Sequence, residues 1–416
     1  MKAIVYGAGA REHALAARLV TEGWSTTVAP GNAGIARHLT CHPLDLTDLA
    51  AAVGLARTLS VDLAVIGPEA PLVAGLADAL RAAGIVTFGP SAAAARVEGS
   101  KAFAKSLMVV AGVPTAGYQV FDEGAQAQAQ AYARSFGGRV AVKADGIAAG
   151  KGVVVAGSVA EADAAVVTLL EQRPDGRPGA RLVIEERLEG PEVSLMALCH
   201  GLDANPLPLA HDYKRLRDGD LGPNTGGMGA VAPSERARDL EALTDLAIRP
   251  VLAELVRRGT PFSGLLYAGL ILTGDGPKVL EYNCRFGDPE TQALLWATGG
   301  PLGEGLLAVA RGSSAKTLLR PTGEVAVAVV LAAAGYPEAP RSGTVIEGLP
   351  EAEQRCAAVY AAGVGTLGDA LVVAGGRVVT CVGVGASTQG ASDQAYDAAS
   401  RLRFDGKQLR RDVGLK

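Results

Sequence analysis

Lys143-Ala144-Asp145-Gly146-Ile147-Ala148-Ala149-Gly150-Lys151-Gly152, running on into Val153-Val154-Val155, is the stretch on which the fold turns. It looks at first like a phosphate-binding loop opening a helix. That loop requires Gly at position 145 and Ser or Thr at position 152, whereas the chain has Asp145 and Gly152. A β-branched run follows it, so the loop joins two strands. A strand–glycine loop–strand hairpin can fold over a triphosphate, because without Cβ atoms its backbone N–H groups come close to the oxygens. Lys143, on the incoming strand, delivers a cation to the same place. Taken alone, the stretch also reads as a plain flexible hairpin.

Upstream, short β-branched runs alternate with Ala/Leu-rich stretches of helical period. Strands are expected at Lys2–Tyr6, Thr26–Ala29, Leu63–Ile66 and Val86–Phe88, and helices at Glu12–Glu22, Leu46–Leu59 and Leu72–Ala83. Strands separated by helices imply βαβ units and a parallel sheet. Gly7, Pro30-Gly31, Gly67-Pro68 and Gly89-Pro90 follow the carboxyl ends of these strands, the edge where open α/β sheets bind ligands. Gly7-Ala8-Gly9-Ala10-Arg11-Glu12 invites a dinucleotide reading, but Glu12 occupies the third small position. The second strand also ends in Ala29-Pro30-Gly31-Asn32 without a ribose-binding acid. What remains is a helix start that could take a phosphate, or a tight turn with no ligand.

Downstream, Val279-Leu280-Glu281-Tyr282-Asn283-Cys284-Arg285-Phe286-Gly287-Asp288-Pro289-Glu290 carries the most chemistry. Residues two apart on a strand share a face, so Glu281, Asn283 and, if the strand runs on, Arg285 align on one side and Leu280, Tyr282 and Cys284 on the other. A carboxylate and an amide oxygen suit Mg²⁺, which completes its shell with substrate phosphates. A nearby Arg suits bidentate grip of a carboxylate. An exposed polar face with a surface ion pair is the plainer alternative. Asp212-Tyr213-Lys214-Arg215 precedes Gly222-Pro223-Asn224-Thr225-Gly226-Gly227-Met228-Gly229, charge of both signs beside a candidate glycine-rich lid or a solvated loop. A helix is expected over Ala237–Arg258, and an Asp-Gly hairpin turn between Leu265–Leu272 and Lys278–Asn283. His38, Cys41 and His42 lack a second ligand pair at zinc spacing.

Composition sets the outer bounds. The chain has 416 residues, enough for two to four domains, and its net charge of −4 offers no polybasic field for nucleic acid or anionic membrane. Apolar residues make up 49% and charged residues 20%, which supports large cores and argues against disorder. The longest apolar run, Val325–Ala334, is about half a bilayer span, and no signal-like segment follows Met1. Five widely spaced cysteines are the usage of reduced thiols, so a cytoplasmic protein is expected.

The motifs occur in an order that resembles the phosphoribosylamine–glycine ligase (glycinamide ribonucleotide synthetase) family of the ATP-grasp superfamily. They are Arg11-Glu12-His13, Pro30-Gly31-Asn32-Ala33-Gly34, Gly67-Pro68-Glu69, Glu98-Gly99-Ser100-Lys101, the Lys143–Gly152 loop, Pro223-Asn224-Thr225 and Asn283-Cys284-Arg285. The match runs over essentially the whole chain. It implies an α/β protein: an ATP-grasp fold preceded by a parallel-sheet, Rossmann-like domain and followed by a small mixed α/β domain. The corresponding boundaries are 1–100, 101–318 with 119–191 as a mobile ATP-binding lid, and 319–416. It implies a ligase of purine biosynthesis that joins glycine to 5-phosphoribosylamine at the expense of ATP, through glycyl phosphate.

The same resemblance implies roles residue by residue. Lys105, Lys143, Gly146, Gly150, Lys151 and Gly152 would surround the ATP phosphates, with Mg²⁺ or Mn²⁺ on Glu281 and Asn283. Adenine would lie behind Glu185, with the backbone of Glu186 and Leu188 reading its edge and Glu192 on the ribose. Arg285 would hold the glycine carboxylate and Asp212 its ammonium, both counted with Lys143 as catalytic. Phosphoribosylamine would lie against Gly9, Arg11, Glu12, His13, Asn32, Ala33, Gly34 and Glu69. Lys214, Asn224, Thr225, Gly226, Gly287 and Asp288 complete the substrate contacts. Partners are small molecules only, and a monomer or weak dimer is expected. Ala10, where the family commonly has Gly, and Tyr213, where it has His, depart from the pattern. A biotin-carboxylase-like enzyme is the rival within the fold; a nucleotide-binding regulator or a dehydrogenase is the rival outside it.

Overall fold

A computed structural model describes residues 1–147, 152–171, 181–237 and 239–415. The amino-terminal sheet is parallel, with β1 (Lys2–Gly7), β2 (Ser25–Pro30), β3 (Thr40–Cys41), β4 (Leu63–Ile66) and β5 (Thr87–Phe88) in the order β3-β2-β1-β4-β5. β1 is central, which is why Ala3, Ile4, Val5 and Tyr6 are apolar without alternation: both faces are covered. The helix Ala10–Thr21 buries Ala14, Leu15 and Leu19 against it. The single helix expected over Leu72–Ala83 is two, Glu69–Val73 and Leu76–Ala82, because Gly75 turns left-handed between them (φ 94°).

Two antiparallel sheets follow and face one another. The first runs Asp203–Pro206, Glu192–His200, Ser263–Thr273, Gly276–Asn283, with the expected Asp-Gly turn closing its last hairpin. The second runs Tyr118–Phe121, Leu182–Glu186, Val140–Ala144, Val153–Val155. It has its own small core, formed with the helices Gln126–Ser135 and Val159–Glu171. The helix expected over Ala237–Arg258 is also broken, into Leu240–Ala247 and Arg249–Arg257, where Pro250 withholds an N–H from the preceding turn.

The last sheet is ordered His211–Asp212, Gly229–Ala232, Val325–Ala332, Arg377–Gly385, Ala358–Ala361. Its two outer strands on one side thus come from the middle of the chain. The glycine-rich stretch read as a possible lid is strapped into this sheet: Gly226 N–H donates to Tyr336 Oη (2.9 Å), and Arg377 donates to Gly226 O (2.6 Å). Among the described residues, no helix is long and apolar enough to cross a membrane.

Candidate active site

Two cavities, about 410 and about 740 Å³, form one cleft between the facing antiparallel sheets and share Lys143, Glu185, Asp212, Lys214 and Glu281. Lys105 from the helix Lys101–Val110 and Lys143 from the strand Val140–Ala144 each reach one oxygen of the buried Glu185, both at 2.8 Å. Lys105 also donates to Thr115 Oγ1 (2.6 Å), which in turn donates to the Val279 carbonyl (2.6 Å). Burial pulls the Lys105 ammonium down to about 8, although Glu185 holds it up. Two ammoniums on one carboxylate leave an excess positive charge in a dry place, which a phosphate would neutralise.

Where adenine is expected, the Glu186 N–H is taken by the Gly117 carbonyl (2.9 Å), while its carboxylate accepts from Gly117 N–H (3.0 Å). Leu188 lines the larger cavity, and its N–H has no partner among the described residues. Glu192, expected on the ribose, is bound by Lys214. Gly146 adopts φ 103°, which only glycine takes without strain, and its carbonyl accepts from Lys101 Nζ (2.8 Å). Gly152 lines the smaller cavity; Gly150 and Lys151 lie outside the described residues.

The strand Gly276–Asn283 carries Glu281 and Asn283 into the cleft as alternation predicts, but Leu280 faces the cavity too. A bulge explains it: Gly269 pairs with Glu281 and Leu270 with Val279, so Leu280 drops out of the ladder. Burial pushes the Glu281 carboxyl up, but Lys214, Lys143, Lys101 and Arg285 outweigh it and hold it below the usual carboxylate range. Asn283 Oδ1 accepts from Arg285 Nη2 (3.2 Å). Among the described residues no three His, Cys, Asp or Glu side chains cluster as a self-sufficient metal site. One carboxylate and one amide oxygen fit a hard cation that takes its other ligands from a bound nucleotide.

Arg285 is held on several sides. It meets Glu69 (3.0 Å) and Glu98 (2.9 Å), and it donates to the Phe286 carbonyl (3.1 Å). Burial works against its charge, yet the two carboxylates raise its pKa further. Asp212 is pushed up to about 7 by burial and by the neighbouring Glu290 and Glu192, against the pull of Lys214. Sequence reasoning missed Glu290, which accepts from Tyr267 Oη (2.6 Å) and Ser194 Oγ (3.2 Å) in the same cavity. Glu290 stands in the quoted motif, but strand alternation gives no signal beyond the strand's end, and Tyr267 hides in an apolar run. Glu98, Lys101 and Arg377 were likewise not assigned to the site. Arg377, from the last sheet, pairs with Asp288 (2.9 Å) and also donates to its carbonyl (2.7 Å).

Around Asp288, the expected substrate contacts divide. Thr225 Oγ1 donates to the Lys214 carbonyl (2.8 Å), Asn224 borders the larger cavity, and Gly287 makes room for Glu290, whose Oε2 lies 2.6 Å from where a Cβ would be. On the amino-terminal side, Arg11 and Glu69 face the cavity, but the polar atoms of their neighbours are occupied. Glu12 accepts from Gly9 N–H (2.7 Å) and pairs with Arg11 (2.5 Å), its side chain lying where Gly7, Gly9 and Gly67 lack Cβ atoms. His13 Nδ1 accepts from Ala361 N–H (2.9 Å). Asn32 Nδ2 donates to the carbonyls of Ala8, Ala361 and Ala362 (2.8, 3.1 and 2.9 Å), and its Oδ1 accepts from the N–H groups of Gly34 and Ile35. Ala33 N–H donates to Val364 O (3.2 Å). These residues join the first domain to the last.

Comparison with known proteins places this geometry in a family. Profiles for phosphoribosylglycinamide synthetase match in three parts: the N domain over residues 1–98, the ATP-grasp (A) domain over 99–291 and the C domain over 326–416. Phosphoribosylamine–glycine ligase of Streptomyces coelicolor is 48% identical, with 100% of this chain and 99% of the relative covered. The Mycobacterium tuberculosis enzyme of that name is 47% identical over 100% and 98%. Among solved structures, phosphoribosylamine–glycine ligase of Thermotoga maritima aligns with a TM-score of 0.87 at 35% identity, covering 99% of this chain and 100% of the other. The biotin carboxylase domain of Hydrogenobacter thermophilus 2-oxoglutarate carboxylase shares the fold, with a TM-score of 0.72 at 17% identity over 98% and 91%.

Proposed function

The chain belongs to the phosphoribosylglycinamide synthetase family, ATP-dependent ligases that join glycine to phosphoribosylamine in purine biosynthesis, and from that premise we propose how its residues divide the work. Its substrates are glycine, phosphoribosylamine and ATP. The observation that carries the reading is the convergence of Lys105 and Lys143 on Glu185, opposite Glu281 and Asn283, in the cleft between two sheets.

A carboxylate is a poor acyl donor because oxide leaves badly. Glycine is therefore first phosphorylated: the bond from ADP oxygen to the γ-phosphorus breaks and a carboxylate oxygen takes the phosphorus. The ribosylamine nitrogen then attacks the acyl carbon, inorganic phosphate leaves with the bonding pair, and the amine loses a proton. Phosphoryl transfer is mostly positioning and charge neutralisation, which is the role of Lys105 and Lys143. Glu281 and Asn283 would hold Mg²⁺ or Mn²⁺, which would supply neutralisation of phosphate charge there. Adenine lies against Glu186 and Leu188, the latter supported by its N–H, which has no partner among the described residues. Arg285 orients the glycine carboxylate and Asp212, with Glu290 beside it, the ammonium. Phosphoribosylamine enters from the side of Arg11 and Glu69.

The division 1–100, 101–318 (with 119–191 as the moving lid) and 319–416 goes with this reading. So do a cytoplasmic setting, a monomer or weak dimer, and no nucleic-acid or membrane partner. The test is ADP release with each substrate omitted in turn. Release should require both ATP and glycine, and release that ignores glycine would refute the glycyl-phosphate route.

A further inference from the structure

The cations of the smaller cavity differ in what they already hold. Arg11, Lys105, Lys143, Lys214, Arg285 and Arg377 each have a carboxylate partner within 4.0 Å. To serve an incoming anion fully, each must loosen a bond to a buried or half-buried anion of this chain. Lys101 is different. Among the described residues no carboxylate oxygen lies within 4.0 Å of its ammonium, and its acceptor is the neutral carbonyl of Gly146 at 2.8 Å.

Its surroundings set it up for this. Asp145 is pinned to the start of the helix Lys101–Val110 by Ser100 Oγ (3.1 Å) and by the Ala102 N–H (3.2 Å). The base of the glycine loop and the first turn of that helix therefore form one unit, and Gly146, with φ 103°, turns its carbonyl toward Lys101. Lys101 lines the smaller cavity together with Lys105, Lys143 and Glu281. The bond to the Gly146 carbonyl has only a neutral acceptor, whereas an ionised phosphate oxygen adds the attraction of a full opposite charge, so the exchange favours phosphate.

We propose that Lys101 is a catalytic cation of this reaction: its ammonium leaves the Gly146 carbonyl and follows the phosphoryl group as it passes from ATP to glycine. This rests on the phosphoryl-transfer reading of the cleft given above. No covalent bond to Lys101 forms. The phosphorus–oxygen bond to ADP breaks, the bond to the glycine carboxylate forms, and the lysine remains protonated, donating to the equatorial oxygens of the moving group. It then holds the acyl phosphate until the amine attacks and phosphate departs.

The experiment compares Lys101→Met, Lys101→Arg and Glu281→Ala with wild type by steady-state kinetics. It adds glycine-dependent scrambling of ¹⁸O between the bridging and non-bridging β-phosphate positions of ATP without phosphoribosylamine. Lys101→Met should lower kcat and isotope scrambling about 100-fold, with KM for ATP and glycine within about threefold of wild type. Lys101→Arg, which keeps the charge, should recover to within about tenfold. Lys101→Gln replaces the Met variant should that one fail to fold. Near-wild-type kcat in the neutral variant, a loss confined to KM for ATP, or an Arg variant as slow as the neutral one would each overturn the proposal. An active Glu281→Ala enzyme would instead refute the reading of the cleft itself, so the two failures are distinct.

Discussion

At the scale of single residues, the site is held in a state that suits its ligands better than itself. Asp212 shows this most clearly: burial and two neighbouring carboxylates push its carboxyl from 3.8 up to about 7. Between about pH 4 and 7 the folded protein keeps a proton that the unfolded chain has lost, so stability falls as pH rises through that window. Asp212→Asn should raise the thermal midpoint at pH 8 by about 2 °C while raising KM for glycine at least about tenfold. Scanning fluorimetry checks the first part, and the gap between variant and wild type should close toward pH 5. Glu281 shows the opposite balance, a carboxylate held ionised by four cations. Glu281→Ala should lower turnover by at least about 100-fold with the circular dichroism spectrum unchanged, because it removes no apolar mass; unfolding of the variant would contradict that. Lys105, already down at about 8, should lose its charge as pH rises past 8. The Kd for ATP of the free enzyme, measured by calorimetry, is expected to climb there.

Elements decide which of these residues were legible in the sequence. Glu281, Asn283 and Lys143 sit on strands whose period of two announces a shared face, and reading them needs only local pattern. The bulge at Leu280 lies beyond that rule, since it arises from the partner strand's register. Both broken helices keep an unbroken apolar period across a Gly or Pro, so period alone runs through the break. Glu12 is the instructive miss. Its position argued against a dinucleotide site, yet nothing local reveals that its carboxylate fills the space above Gly7, Gly9 and Gly67. A Cβ on Gly67 would come 2.0 Å from Glu12 Oε1. Glu12→Ala should therefore destabilise by about 3 kcal/mol, as Arg11 loses its buried partner. Gly67→Ala alone should cost about 1–3 kcal/mol by overpacking. In the double variant, denaturant titration should show less than the sum, because the first substitution removes what the second collides with.

On the scale of the whole molecule, the terminal domains are locked together by residues that the sequence marked for substrate. His13 and Asn32 hold Ala361 and Ala362, and beside them Arg37 pairs with Glu353 (2.5 Å). Contacts between positions some 300 residues apart leave no periodic trace, so nothing local in Asn32-Ala33-Gly34 announces this joint. The joint makes a prediction of its own. Burial pulls His13 down to about 4, so its Nδ1 accepts from Ala361 N–H as a neutral ring. Between pH 6.5 and about 4 the unfolded chain binds a proton that the folded one refuses, so this contribution to stability is complete above 6.5 and lost as pH falls toward 4. Its slope opposes that of Asp212, and wild type should show a shallow dependence over this range. His13→Gln removes the titration and leaves the Asp212 slope exposed, so the variant should lose stability as pH rises from 5 to 7 more steeply than wild type. Hydrogen exchange at Ala361 should accelerate in wild type at pH 4 relative to pH 7 after correction for intrinsic rates. If Ala361 stays equally protected at both values, His13 does not hold the two domains together in the way its geometry indicates.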